Sequence, residues 1–491
     1  MIIQSVWQKS FTFSGKPVVV EPSEAELSSD AGLLPIRQFD AATGMTEQFA
    51  AALTDLRYGP SVQHSIQEMV RSRVFGILAD YADQNDHDVL RSDPVFKVIA
   101  GDGVDADDLA SQPTLSRFEN AIDARSLRRL QEVFIDQFIA SFDQPPTQLT
   151  FDIDPFADPT HGQQQLTFFH GYYGQYQYLP RAITCAENDQ VVMICLLFGT
   201  AHAAMSAADD LEYLVTRLRE VWPDVRIVLR ADSGFGVPAM YAICEQLRID
   251  FTIGIGMNST LKKYSDPLLE RCLVAFDEAV EAAKAAGEDK VPTQRKFCAC
   301  WYQADSWPAQ RWVIIKCEAN SQGTNRRAVV TNRPGAFVLP GATYDAYADR
   351  GESENRNKEL KCGLQADRLS DHRYMANLFR LYMHALGYNL LARLRQVVAD
   401  PPPEPNDAEV PPEALSGDRR RQHHNRRRQH DPLGQGQPNT WRTRLIKVAA
   451  RVTESSRRVL VELSGSWPFL DHYRRVSDRV LAFSAASLDS S

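Results

Sequence analysis

Leu149-Thr150-Phe151-Asp152-Ile153-Asp154-Pro155-Phe156 is the stretch on which the reading of this chain turns. Its apolar residues alternate with Asp152 and Asp154. In a strand, successive side chains point to opposite faces, so the two aspartates share one face while Leu149, Phe151 and Ile153 cover the other. Carboxylates on a core strand are costly unless a cation, a base or water satisfies them. A second apolar run, VRIVLRAD (225–232), ends in Asp232 just before the turn SGFG. The carboxyl ends of strands are where open α/β sheets place their ligands. Glu354 lies on a polar helix far downstream. Two strand-end aspartates and one helical glutamate can supply oxygen ligands to a pair of hard cations. Such ions sit about 3.5–4 Å apart and clamp the attacking and leaving oxygens of an in-line phosphoryl displacement. Two Mg2+ ions suit this donor set, with Mn2+ able to substitute.

Working outward, QLTFDIDPF, LTFFHGYYGQYQYLPRAIT and QVVMICLLFGT read as strands rich in aromatic and β-branched residues. A helix from Ser206 to Val221, the strand ending at Asp232, a helix from Val237 to Leu247 and the strand DFTIGIG follow. Strands leading into alternating strand and helix predict an α/β fold, a mixed sheet with helices on its faces. From Leu261 to Pro340 the pattern loosens into an alanine-rich helix (Phe276 to Ala286) and short strands bearing Trp301, Trp307 and Trp312. Residues 347–398 read as one or two long helices. Upstream, residues 1–30 form a short strand pair through Phe11, Phe13, Val18 and Val20, and residues 33–143 are helical, with Ser61 a candidate N-cap. DDLASQPTLSRFENAI can be drawn as two helices about a turn at Pro113, the second carrying Ser116 and Arg117. That weakly resembles a helix-turn-helix; a helical hairpin packed on the core is the alternative. Downstream, a proline-rich and then basic stretch predicts a flexible linker, and the tail combines a basic segment, a strand and a final helix.

The 491 residues exceed one ordinary domain, and an apolar fraction of 44% with 24% charged residues is that of a soluble globular protein. No run approaches the ~18 apolar residues that span a bilayer, so no membrane association is expected. The start, MIIQSVWQKS, lacks the plan of a secretory signal. Eight cysteines in so long a chain do not make a disulfide framework, and Cys298 and Cys300 are too close and too alone for a zinc site. The expected location is the cytoplasm. The net charge is −9, yet it is unevenly spread: residues 1–111 hold 17 acidic and 8 basic side chains, whereas residues 416–491 hold 15 basic and 7 acidic. Phosphate neutralisation is local, so the arginines of the tail, Arg420 and Arg427 among them, are candidate DNA contacts.

The context of the glutamate is Tyr347-Ala-Asp-Arg350-Gly-Glu-Ser-Glu354-Asn-Arg-Asn-Lys-Glu-Leu-Lys361. Tyr347, Arg350, Glu354 and Lys361 are 3, 4 and 7 residues apart, a spacing that lines one helical face. An acid flanked by two cations and a phenol suits a DNA end whose phosphates are gripped while one is attacked. This stretch resembles, without a gap, the Y-(2)-R-(3)-E-(6)-K signature of insertion-sequence DDE transposases. GLLPIRQFD, QHSIQEMVRSRVFGILADYADQNDHDVLRSDPVF, QPTLSRFEN, DPTHGQQQ, RADSGF and LIKVAARV…SSRRVLVEL are similar to the insertion-sequence family numbered 1380. The resemblance implies a ribonuclease H-like catalytic core with a β-rich insertion before the glutamate helix. It also implies an enzyme that binds terminal inverted repeats, cleaves the DNA and transfers 3′ ends into target DNA.

The expected organisation is a helical DNA-binding domain (1–144), the first part of the core (145–260), the insertion (261–340), the second part of the core (341–398), a basic linker (399–440) and a C-terminal region (441–491). Asp154, Asp232 and Glu354 are the expected catalytic metal ligands, and Tyr347, Arg350, Lys361, Arg117, Arg420 and Arg427 the expected DNA contacts. Relatives place a small residue and then threonine after the first aspartate. Pro155-Phe156 stands here instead, so Asp152 and Asp154 both remain candidates; Asp154 is nearer the strand end. The resemblance further implies a homodimer on DNA. The tail is the favoured contact, since the apolar stripe from Tyr374 to Leu386 reads more economically as core. A nuclease of the same fold would use the same acids without needing Arg350 and Lys361 at these spacings, and a decayed copy would only bind DNA.

Overall fold

The computed structural model describes residues 8–13, 16–23, 25–101, 103–171, 173–288, 291–401 and 428–489. β1 (Lys9–Phe11) and β2 (Val18–Val20) form the expected strand pair. β3 (Leu27–Ser28) then leads into a helical layer of α1 (Leu33–Thr43), α2 (Met45–Ala51), α3 (Ile66–Leu78), α4 (His87–Leu90), α5 (Pro94–Ala100), α6 (Gln112–Asn120) and α7 (Ala124–Ile139). Ser65, not Ser61, caps α3: its hydroxyl accepts the Glu68 amide, and Ser65 with Glu68 three residues on has the spacing of a capping box. Pro113 does not divide two helices either. It stands in the first turn of α6, where its missing N–H costs nothing, and residues 107–111 before it are not helical, so the helix-turn-helix drawn about it does not form.

The sheet begins with β4 (Gln148–Pro155) and continues through β5 (Asp158–Pro159), β6 (Phe168–His170), β7 (Gln175–Cys185) and β8 (Val191–Phe198). α8 (Ala207–Val221), β9 (Arg226–Ala231), α9 (Pro238–Gln246) and β10 (Asp250–Ile255) follow. Then come α10 (Ser259–Ala286) and the meander β11 (Gln294–Tyr302), β12 (Arg311–Asn320) and β13 (Gly323–Thr331). These ten strands form one mixed sheet in the order β11-β12-β13-β10-β9-β4-β7-β5, with β6 and β8 also paired to β7. β4, β9 and β10 run parallel; β7 and β13 flank them antiparallel. The mixed α/β class expected from the sequence is what the chain adopts, and the strands of residues 261–340 extend the same sheet through β13.

α10 runs through Pro267, well before the start expected at Phe276. Asn258 caps it, and Leu261, Leu268 and Cys272 are buried in the core shared with the meander. That burial offsets the roughly 3 kcal/mol that an interior proline costs a helix. Of the one or two long helices expected over residues 347–398, one is present as α13 (Tyr374–Val398), whereas the part before it is α11 (Pro340–Ala348), α12 (Gly351–Lys358), a π-turn at Glu359–Gly363 and a loop. α13 is buried along most of its length, so the stripe from Tyr374 to Leu386 is core. The tail folds as the hairpin β14 (Ala450–Ser455) and β15 (Arg458–Leu463), paired to β3, and a final helix Leu470–Asp489.

Two chemically different faces follow from the strand period of two. Phe151, Ile153, Leu229, Ala231, Phe251 and Ile253 pack into one core with α8 and α9. The opposite face carries Asp152, Asp154, Arg230 and Thr252 and is covered by the α11–α12 segment. Among the described residues no helix is long and apolar enough to cross a membrane, and all eight cysteines are free.

Candidate active site

Ile153 of β4 lies opposite Ala231 of β9, so the next residues along, Asp154 and Asp232, emerge side by side at the carboxyl ends of parallel strands. Asp232 leaves the sheet into a tight turn, where its Oδ1 accepts the Gly234 amide at 2.8 Å. Asp154 is 9% exposed and accepts Ser353 Oγ at 3.0 Å. Arg350 stands between acids, 3.6 Å from Asp154 and 3.4 Å from Glu354. Burial pushes the Asp154 carboxyl up to about 6; Asp232 and Glu354 add to the rise, against the pull of Arg350 and Ser353. Like charge gathered around a buried acid is the situation a bound cation relieves.

A cleft of about 500 Å³ opens beside these groups. Asp232, Arg350, Glu354 and Tyr347 line it, and Lys316, Arg326 and Arg327 form a basic wall. Tyr347 is half-buried, which raises its phenol, and the Arg350 guanidinium lies 5.9 Å from its ring centre. Lys316 and Arg327 are register partners across β12 and β13. Cations placed directly opposite each other are unfavourable without an anion, and Glu318, 2.8 Å from Lys316, supplies one. The sequence reading missed this wall. Its only signal was the pair Arg326-Arg327 directly ahead of the apolar run Ala328-Val329-Val330.

Tyr347, Arg350 and Glu354 therefore meet at one cleft, but not on one helix. The helix breaks after Ala348, and Arg350 stands just before α12 without a side-chain capping bond. The extrapolated face fails beyond it: Lys361 sits in the π-turn, 3.8 Å from Asp367, and does not line the cleft. Its charge instead acts on Asp158, a fully buried carboxyl that burial and Asp367 push up to about 8. Arg117 is exposed on α6, bonded to Thr114 and away from the cleft. Arg420 and Arg427 lie outside the described residues.

Asp152 has a different environment from Asp154. It is fully buried and meets Arg230 through two bonds of 2.7 and 2.8 Å and Arg356 through one of 2.9 Å. Its charge is already answered within the protein. Among the described residues no three carboxylate, imidazole or thiol groups are gathered closely enough to form a finished metal cage. Asp154, Asp232 and Glu354 nevertheless offer the hard oxygen donors that a divalent cation takes, with mutual repulsion to be relieved.

No curated protein matches the chain in sequence. Among solved structures the chain is similar to the cryo-EM structure of the piggyBac transposase synaptic complex with hairpin DNA, with 12% identity, 76% of this chain and 77% of that chain covered, and a TM-score of 0.38. The model of the family described as "Transposase DDE domain group 1" matches residues 11–404. Over that span, which holds the whole sheet and all three candidate acids, the chain belongs to the DDE transposase domain family, group 1.

Proposed function

We propose that this protein is the transposase of an insertion sequence, and that it binds the element's terminal inverted repeats, cleaves the DNA there and transfers the 3′ ends into target DNA. The observation that carries the reading is the pairing of Asp154 with Asp232 on adjacent parallel strands, with the Glu354 helix bonded to Asp154 through Ser353 and Glu354 lining the same cleft as Asp232. The run β8-β7-β4-β9-β10, in which the first three strands alternate in direction and the last two lie parallel to β4, supports a ribonuclease H-like core.

Asp154, Asp232 and Glu354 would hold divalent cations, Mg2+ or Mn2+, which when bound supply Lewis-acid activation of the attacking and leaving oxygens. The chain's own residues bind and orient the DNA. Arg350, at the junction of the acids, and Lys316 and Arg327 on the cleft wall can hold phosphates by charge-assisted bonds, which fix register without reading sequence. Tyr347 packs the floor beside Asp232. Arg117 and Lys361 remain proposed contacts for DNA outside the cleft, and the arginine clusters containing Arg420 and Arg427 remain proposed DNA contacts. Two ends must be held together for movement, so the active form is proposed to be a homodimer assembled on DNA through the tail.

The test uses DNA carrying the repeats that flank the gene. Wild-type protein with Mg2+ should nick and join these ends, whereas Asp154→Asn, Asp232→Asn and Glu354→Gln should bind them and leave them uncut. Cleavage retained by any one of these variants removes that residue from the site. Light scattering with and without the end DNA tests the dimer; an active complex holding one chain per end refutes it.

A further inference from the structure

Resting on that reading of the acids, we infer that Asp152, Arg230 and Arg356 form a buried positioning triad that sets the three acid-bearing segments against one another. The placement is systematic. Asp152 precedes Asp154 by two residues, Arg230 precedes Asp232 by two, and Arg356 follows Glu354 by two. On the strands, a residue two back points to the same face one rung deeper. Asp152 and Arg230 are register partners and close a two-point bond. Arg356 reaches down from α12 to the same carboxylate at 2.9 Å and holds Asp189 at 2.6 Å with its Nε. Arg230 also donates to the carbonyl of Ala346 at 3.0 Å, beside Tyr347. One buried carboxylate thus ties together β4, β9, α12 and the end of α11.

Stability alone does not explain this arrangement, because apolar side chains of similar volume do as well or better than buried ion pairs. What distinguishes it is α12. That helix has eight residues, and the side chains it buries are Ser353, Arg356 and Asn357, none of them apolar. Glu354 itself is 69% exposed. No hydrophobic packing within α12 therefore fixes the direction of Glu354. The bonds of Arg356 to Asp152 and of Ser353 to Asp154 do.

Arg356→Gln is the informative variant, since Asp152 keeps Arg230 as its partner. Arg356→Lys keeps the charge and loses the planar fork. In the full-length protein without DNA, Mn2+ binding is followed by electron paramagnetic resonance of the free ion, and hydrogen exchange is read over residues 351–358. Strand cleavage and melting temperature are measured alongside. Partners that orient ligands are worth about 10- to 100-fold in metal affinity or activity. Arg356→Gln should weaken Mn2+ binding and slow cleavage by that factor, with faster exchange confined to α12 and a near-normal melting temperature. Arg356→Lys should recover part of each. Wild-type Mn2+ affinity, cleavage rate and α12 exchange in a folded Arg356→Gln protein would overturn the triad. So would an activity loss that merely tracks the unfolded fraction in both variants. Wild-type protein that binds Mn2+ no better than Asp232→Asn would reject the metal reading instead, and the exchange of α12 then decides the triad by itself.

Discussion

Gly254 of β10 offers a perturbation whose size can be worked out beforehand. A Cβ at this position would lie 2.9 Å from the Ser233 amide nitrogen, 3.0 Å from the Tyr347 hydroxyl and 3.2 Å from the Asp232 carbonyl carbon. Ordinary contacts between carbon atoms lie at about 3.5–4.0 Å, so the Asp232–Ser233 peptide must retreat by roughly half an ångström. β10 cannot yield instead, because β9 and β13 hold it on both edges. Overpacking of this kind costs about 1–3 kcal/mol. The retreat falls on the residue proposed to hold the cation, and functional groups need placing to within about 0.5 Å. If a 1 Å misplacement costs about 100-fold in rate, half of it costs about tenfold, or roughly 1.4 kcal/mol of barrier. Gly254→Ala should therefore cleave end DNA about tenfold more slowly, bind it normally and melt a few degrees lower. Gly256→Ala, where nothing lies within 4 Å, is the control. If the two variants cleave and melt alike, the close approach of Gly254 to Asp232 does not govern the site.

Three further outcomes follow from the same structure. Replacing Lys316 and Arg327 by alanine should flatten the logarithmic salt dependence of end binding by about 0.9 for each phosphate left unneutralised; an unchanged slope removes the β12–β13 wall from the interface. Glu119 is fully buried and answers both Arg73 and Arg380, joining α6 to α3 and α13. Glu119→Gln should cost about 3–5 kcal/mol in urea unfolding, and a loss below about 1 kcal/mol contradicts that account. Burial pushes His384 down to about 3, helped by the nearby Arg73 and Arg380. Its unfolded form takes up a proton near 6.5, so the stability it contributes is complete above that pH and is lost as pH falls from 6.5 towards 3. Melting temperature should fall across that window, less steeply in His384→Gln; identical pH profiles would refute the assignment.

The strands of the sheet were legible as apolar runs rich in aromatic and β-branched residues; Asp152, Asp154 and Asp232 stood out because carboxylates on such strands need a reason, and Glu354 because of the residues spaced around it on a polar helix. What failed was extrapolation across breaks. The spacing of Tyr347, Arg350, Glu354 and Lys361 fits one helix on paper, yet the chain stops α11 at Ala348 and widens into a π-turn at Glu359, which carries Lys361 off to Asp367. Gly351, a poor helix former, was the one local sign of the interruption. The choice between Asp152 and Asp154 was undecidable from local sequence for another reason: the arginines that answer Asp152 lie 78 and 204 residues away along the chain. Lys316 and Arg327 become neighbours only when β12 pairs with β13.

The parallel pairing of β4 with β9 sets two rungs of opposite electrostatic sign one above the other. In the lower rung, Asp152 faces Arg230; in the upper, Asp154 stands beside Asp232. Opposite charges across a strand pair stabilise it and like charges destabilise it by a similar amount. The lower rung offsets, within the same two strands, part of what the upper one costs, and it does so where water is absent. A repulsive pair left at the mouth of the sheet can be satisfied from outside, by cations and by Arg350, which stands 3.6 Å from Asp154. The strand period thus joins the foundation to the proposed chemistry: shifting β4 or β9 by one residue would turn that strand's own aspartate, Asp154 or Asp232, towards the apolar side chains of α8 and α9. Register, and not only residue identity, is what this sheet has to protect, and the two-point bond of Arg230 to Asp152 is the contact best placed to do so.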